Sequence, residues 1–110
     1  MSYQHQQLAS GRWREMTFFQ QMANVGSEIE RAINWKKKDN KSYGQQAFER
    51  GLELLDLTIS DRKNIKRLKE LTRAREILAD YFAFNNDYRS TDKSWKNYFY
   101  SFNYASRLGR

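Results

Sequence analysis

Between Arg62 and Arg75 the chain carries seven Lys or Arg side chains and a single acid, Glu70. Arg62, Lys66, Lys69 and Arg73 recur there at intervals of four, three and four, with Lys63 in the same run. Wound on a helix at about 100° per residue, these four fall within about 60° of one another. Contact with successive phosphates requires positive side chains presented along one surface, and this segment supplies them. The competing reading is a solvated helix face that serves only solubility. A second concentration lies near the C-terminus, where Trp95, Tyr98, Phe99, Tyr100, Phe102 and Tyr104 occupy six of ten positions. Trp95, Tyr98, Phe99 and Phe102 share one face of a helix and belong in the core. Tyr100 and Tyr104, at i and i+4, are left for solvent. There they could stack on bases or form a protein interface; the plainer alternative is that they pack against the N-terminal segment.

No catalytic constellation accompanies these residues. Cysteine is absent, which excludes a disulfide framework, a thiol nucleophile and every zinc site built on thiolates. The one histidine, His5, lies in the N-terminal tail, so neither a histidine-clustered metal site nor a Ser-His-Asp triad is expected. No histidine follows any arginine, so the Arg-then-His motif of small helical ribonucleases is missing. There is no glycine-rich phosphate loop and no zinc-binding helix motif. Acids do occur close together, Glu28 with Glu30 and Glu53 with Asp56. On charged helices such neighbours are expected to be solvated rather than to act as a general acid–base pair. The reading is therefore of a protein with no catalytic residues, no metal and no cofactor.

The remaining arithmetic bounds the fold. A chain of 110 residues holds one ordinary domain. Hydrophobic residues at 39% and aromatics at 15% are enough for a core. The absence of proline, with only five glycines, argues against a turn-rich β-sandwich. A formal charge of +7 favours anionic partners: nucleic acid, acidic proteins or an anionic membrane surface. No apolar run reaches the ~18–20 residues of a membrane span, so no membrane partner is expected. The first twelve residues lack a secretory pattern, and the expected location is the cytoplasm.

Residues 1–11 are polar, glutamine-rich and end at Gly11, which reads as a flexible tail; residues 12–110 read as a single domain. From Arg12 to about Lys38, Trp13, Met16, Phe19, Met22, Val25, Ile29 and Ile33 are spaced three or four apart, one helix face. Gly26 inside this pattern marks close packing against another helix or a bend. Asn40 and Ser42 are both competent caps for a second helix, from about Tyr43 to Ile59. Its core face is Tyr43, Ala47, Phe48, Leu52, Leu55 and Ile59. A third helix, capped by Ser60 or Asp61, is expected from Arg62 to Phe84, burying Ile65, Leu68, Leu71, Thr72, Leu78 and Phe82. The stretch from Asn85 to Asp92 is turn chemistry. Thr91 or Asp92 caps a last helix from about Lys93 to Arg107. The alternation of Tyr98, Tyr100, Phe102 and Tyr104 would also suit a strand, but a lone strand has no partner in this chain. The expected fold is all-α, an antiparallel four-helix bundle. Its apolar and aromatic surplus predicts a homo-oligomer, a dimer or larger.

Four segments, GRWREMTFFQQMANVGSEIERAINWKKK, AFERGLELLDLTI, AREILADYF and WKNYFYSFNYASR, resemble an uncharacterised family of small helical prokaryotic proteins. The resemblance covers most of the chain after Gly11. It implies an intracellular prokaryotic domain and assigns no activity or site residue. The leading expectation is a non-enzymatic bundle that binds nucleic acid, RNA or single strands, through Arg62, Lys63, Lys66, Lys69 and Arg73. The second is a protein–protein adaptor that uses Tyr100 and Tyr104. The third is a small nuclease or toxin component.

Overall fold

The structure is a computed structural model and describes residues 11–108. Apart from Gly11, the expected tail lies outside the described residues. Gly11 itself has φ of 132°, a conformation open to glycine and strained for other residues. The helices are α1 (Trp13–Glu15), α2 (Phe18–Lys37), α3 (Lys41–Ser60), a 3₁₀ segment (Arg62–Arg67), α4 (Leu68–Ala83) and α5 (Asp92–Arg107). Counting α1 as a lead-in turn, four substantial helices pack together, and the C-terminal aromatic segment is helical. The long helix α2 is central, packing most extensively on α3 and next on α5. Helix α4 lies against α3, while α4 and α5 approach each other less closely.

The first predicted helix is interrupted. Met16 is extended, and α2 starts afresh at Thr17, whose hydroxyl accepts from the Gln20 amide at 3.1 Å. The Gln20 side chain accepts from the Thr17 amide at 2.9 Å, completing a capping box. This shifts which aromatic is buried: Phe18 goes into the core and Phe19 is only partly covered. At the other end, Asp39 adopts a left-handed φ of 59°, which lets the chain reverse after Lys38. Asn40, not Ser42, caps α3 by accepting from the Tyr43 amide at 3.1 Å. Tyr43 is half exposed rather than in the core, its ring set against Trp35 at 5.0 Å across this corner.

Three devices close the core. Gly26 lets α5 approach so closely that a Cβ there would lie 2.6 Å from Phe99 Cβ. This confirms close packing as the reason for a glycine in mid-helix. Phe48 of α3 stacks on Phe82 of α4 at 4.7 Å. Trp95, Phe99 and Phe102 of α5 are buried with Met22, Val25, Ile29 and Ile33 of α2. The connection from α4 to α5 is organised by Asp80. Its carboxylate accepts from the amides of Asp87 at 2.9 Å and Tyr88 at 3.0 Å. Thr91 then caps α5 through reciprocal hydrogen bonds with Ser94. Among the described residues no helix is long and apolar enough to cross a membrane.

Candidate nucleic-acid interface

The basic segment is not one α-helix. Arg62–Arg67 winds as 3₁₀ helix and only from Leu68 does the α-helix begin. A buried polar cluster causes this. Asp61 caps the segment by accepting from the Lys63 amide at 3.2 Å. Asn64 turns inward and donates to Gln21 Oε1 and to the Thr58 carbonyl, both at 2.9 Å. Gln21 in turn donates to Asp61 Oδ2 at 2.8 Å and to the Trp13 carbonyl at 2.9 Å. The Trp13 indole N–H donates to Thr58 Oγ1 at 3.1 Å. Buried amides and carboxylates are tolerated only when partnered, and here they are. With Asn64 inside, the expected core residue Ile65 is swung out to 68% exposure; Leu68 and Thr72 are exposed as well. Burial favours the protonated form of Asp61. The hydrogen bonds from the Lys63 ammonium, the Gln21 amide and the Lys63 backbone, with the Lys63 charge, outweigh it and hold the carboxyl below its ordinary range.

The 3₁₀ winding also re-sorts the cations. At about 120° per residue, side chains three apart eclipse, so Lys63 rather than Arg62 stands over Lys66, and Arg62 is turned about 120° aside. Lys66, Lys69 and Arg73 then continue as a row, each within about 40° of the last. Several of the seven cations are engaged elsewhere. Lys63 Nζ lies 2.5 Å from Asp61 Oδ2 and 3.1 Å from the Arg14 carbonyl. Arg67 sits 4.2 Å over the Phe18 ring. Arg75 pairs with Asp56 through Nε at 2.6 Å and a second contact at 3.3 Å. Arg73 lies 5.9 Å from the Tyr88 ring centre. Arg62, Lys66 and Lys69 are exposed and make no ion pair among the described residues.

Tyr100 and Tyr104 are 60% and 53% exposed, and their rings are nearly parallel at 6.5 Å. Tyr100 borders a hollow of about 220 Å³ between α2 and α5, with Gly26, Glu30, Lys96 and Asn103. On α5 it lies about 200° round from Tyr98, which faces α4. The tyrosine pair and the basic row are therefore not brought together on one surface. The aromatic residues beside the row are Tyr98 and Trp95. With Glu70, Arg73, Ala74 and Ile77 of α4, they line a mainly apolar cleft of about 340 Å³. Burial, with the nearby Glu70 carboxylate, pushes the Tyr98 phenol up to about 12, against a smaller opposing effect of Arg67, so it stays protonated at neutral pH.

The paired acids are split by the fold, and two of the four are buried rather than solvated. Glu28 accepts from Arg31 and from Arg50 Nε at 2.6 Å, tying α2 to α3. Glu53 is buried, whereas Glu30 and Asp56 are exposed. Among the described residues no three His, Cys, Asp or Glu side chains gather as a metal site. Sequence reasoning missed the Trp13, Gln21, Thr58, Asp61 and Asn64 cluster, which sets the winding of the basic segment. It also missed the α4–α5 cleft. Comparison of the chain with protein-family models, with curated proteins and with solved structures found no match.

Proposed function

We propose that this helical bundle binds single-stranded nucleic acid, RNA in particular, through the outer face of the 3₁₀ segment and α4, without catalysing a reaction. The observation that carries this reading is the row Lys66, Lys69 and Arg73 flanked by Arg62. All four of these cations are exposed and make no ion pair among the described residues. Exposed cations left without internal partners are available to phosphates, and each contact gains by releasing a condensed counterion. Lys63 contributes less than its position in the sequence suggests, because Asp61 and the Arg14 carbonyl hold its ammonium. The sequence offers no recognisable helix-turn-helix for reading a major groove, so backbone contact on a flexible strand is the favoured mode.

Replacing Lys66 and Lys69 together with glutamate tests this. Binding of a labelled single strand, followed by fluorescence anisotropy at low salt, should be largely abolished. Thermal stability should change by about 0.5 kcal/mol or less, as is usual for exposed substitutions. A double variant that binds as the wild type does would refute the assignment.

A second reading has its own observation. The exposed, stacked Tyr100 and Tyr104 beside the α2–α5 hollow fit a protein interface, in which aromatic residues are enriched. In that reading the chain is an adaptor or self-associating module, and α5 rather than α4 is the working surface.

A further inference from the structure

We propose that the cleft between α4 and α5 receives one unstacked base of the bound strand, an inference that rests on the nucleic-acid reading above. Among the described residues Trp95 Nε1 and Tyr98 Oη are buried without a hydrogen-bond partner; both residues line this cleft, and Trp95 also borders the α2–α5 hollow. Such atoms are rare because desolvating a donor without satisfying it is costly, so each calls for an explanation, and a group that arrives from outside is one that would satisfy both. Trp95 Nε1 can only donate, and the Tyr98 phenol, protonated at neutral pH, can also donate. The missing partner therefore offers acceptors. Glu70, at the same cleft, is an acceptor and calls for a donor.

A nucleobase edge carries ring nitrogens and carbonyl oxygens as acceptors beside amino or imino donors, on an otherwise apolar ring. That combination matches a cleft of mainly apolar lining with a few convergent polar groups. At about 340 Å³ the cleft has room for a single base. Its location decides between a base and an unrelated apolar molecule. Arg73 belongs both to the cleft wall and to the end of the basic row. A strand whose phosphates follow Lys66, Lys69 and Arg73 thus passes the mouth of the cleft, where a base turned inward meets Trp95 and Tyr98. Single-strand binders commonly pair a basic groove with aromatic side chains that take up the bases in this way.

The test compares two strands of equal length, one an RNA oligonucleotide and one an abasic sugar–phosphate chain, against the full chain and its variants Tyr98→Phe and Trp95→Phe. Tyr98→Phe keeps the ring and removes only the donor, whereas Trp95→Phe removes the donor and also shrinks a buried ring. On the RNA each variant should lose about three- to tenfold in affinity, the size of one hydrogen bond. On the abasic strand neither should differ from the wild type, and the salt dependence should be unchanged. Tyr98→Phe should melt no lower than the wild type, because it removes an unsatisfied buried hydroxyl. Wild-type affinity of both variants for the RNA would overturn the base-binding cleft and leave the basic row intact. A lowered melting temperature for Tyr98→Phe would also overturn it, since the hydroxyl would then have a partner within the fold. If the wild type binds neither strand, the nucleic-acid reading fails with it.

Discussion

Replacing Gly26 with alanine should destabilise the protein, although alanine is the better helix former. Two opposing effects decide the outcome. Removing a mid-helix glycine gains about 1 kcal/mol of helix propensity. The new methyl, however, would lie 2.6 Å from Phe99 Cβ and 2.9 Å from its Cγ, well inside ordinary contact. Phe99 Cβ is fixed to the backbone of α5, so a rotamer change cannot clear it; the helices must separate or shift. Overpacking of this kind costs about 1–3 kcal/mol and occasionally more. With the contacting Cβ held by the backbone, the upper part of that range applies, and the balance is a net loss of about 1–2 kcal/mol, or a fall in melting temperature of roughly 4–9 °C for a domain of this size. Gly51 provides the contrast. A Cβ there meets Ile29 Cδ1 at 2.7 Å, the far end of a flexible side chain that can turn away. Gly51→Ala should therefore be near neutral or mildly stabilising. Urea titration read by circular dichroism measures both, provided the m-value is unchanged. A Gly26→Ala protein as stable as the wild type, or more so, would refute the close approach of α2 and α5. That approach also positions Trp95 and Tyr98 in the cleft.

Two further outcomes follow from the electrostatics and from the exposed aromatics. The folded pKa of Asp61 is depressed, so its stabilisation is present above the ordinary value of 3.8 and is lost as pH falls through the lower, folded value. Melting temperature should therefore fall on acidification below about pH 4. In Asp61→Asn this acid limb should be flatter and the neutral-pH stability lower; an acid limb as steep as the wild type's would contradict the ion pair with Lys63. Replacing Tyr100 and Tyr104 with alanine should leave the melting temperature nearly unchanged, since both rings are mostly exposed. If α5 is an association surface, sedimentation should show the wild-type assembly dissociating in this variant. A wild-type protein that sediments as a monomer at high micromolar concentration would remove the oligomer expectation.

The helical architecture was legible because apolar residues three and four apart run through every long segment. The facing of α5 was legible too: counting 100° steps from Trp95 separates buried Phe99 and Phe102 from exposed Tyr100 and Tyr104. The break at Met16 was obscured because Trp13, Met16 and Phe19 keep a helical spacing across it. The Thr17–Gln20 capping box carried the signal that could have placed it. The 3₁₀ segment was harder to see, since Ile65, Leu68 and Leu71 are spaced as a helix face would require. What overrides that spacing is a set of partners 40 or more positions away, among them Gln21 with Asp61 and with Asn64. The rotation of Arg62 out of the row, and the holding of Lys63, follow from those contacts. The α4–α5 cleft had no sequence signature, because Trp95 and Tyr98 read simply as core aromatics. Only the packing shows that their polar atoms lack partners among the described residues.

The salt dependence of single-strand binding tests the central claim most directly. If Lys66, Lys69 and Arg73 each neutralise one phosphate, the logarithm of the binding constant should fall against the logarithm of salt with a slope of about −2, and of about −3 if the flanking Arg62 joins them. Measured by anisotropy on a labelled RNA strand, either slope supports the basic row as the binding surface. Absence of binding at low salt, or binding with a slope near zero, would contradict it.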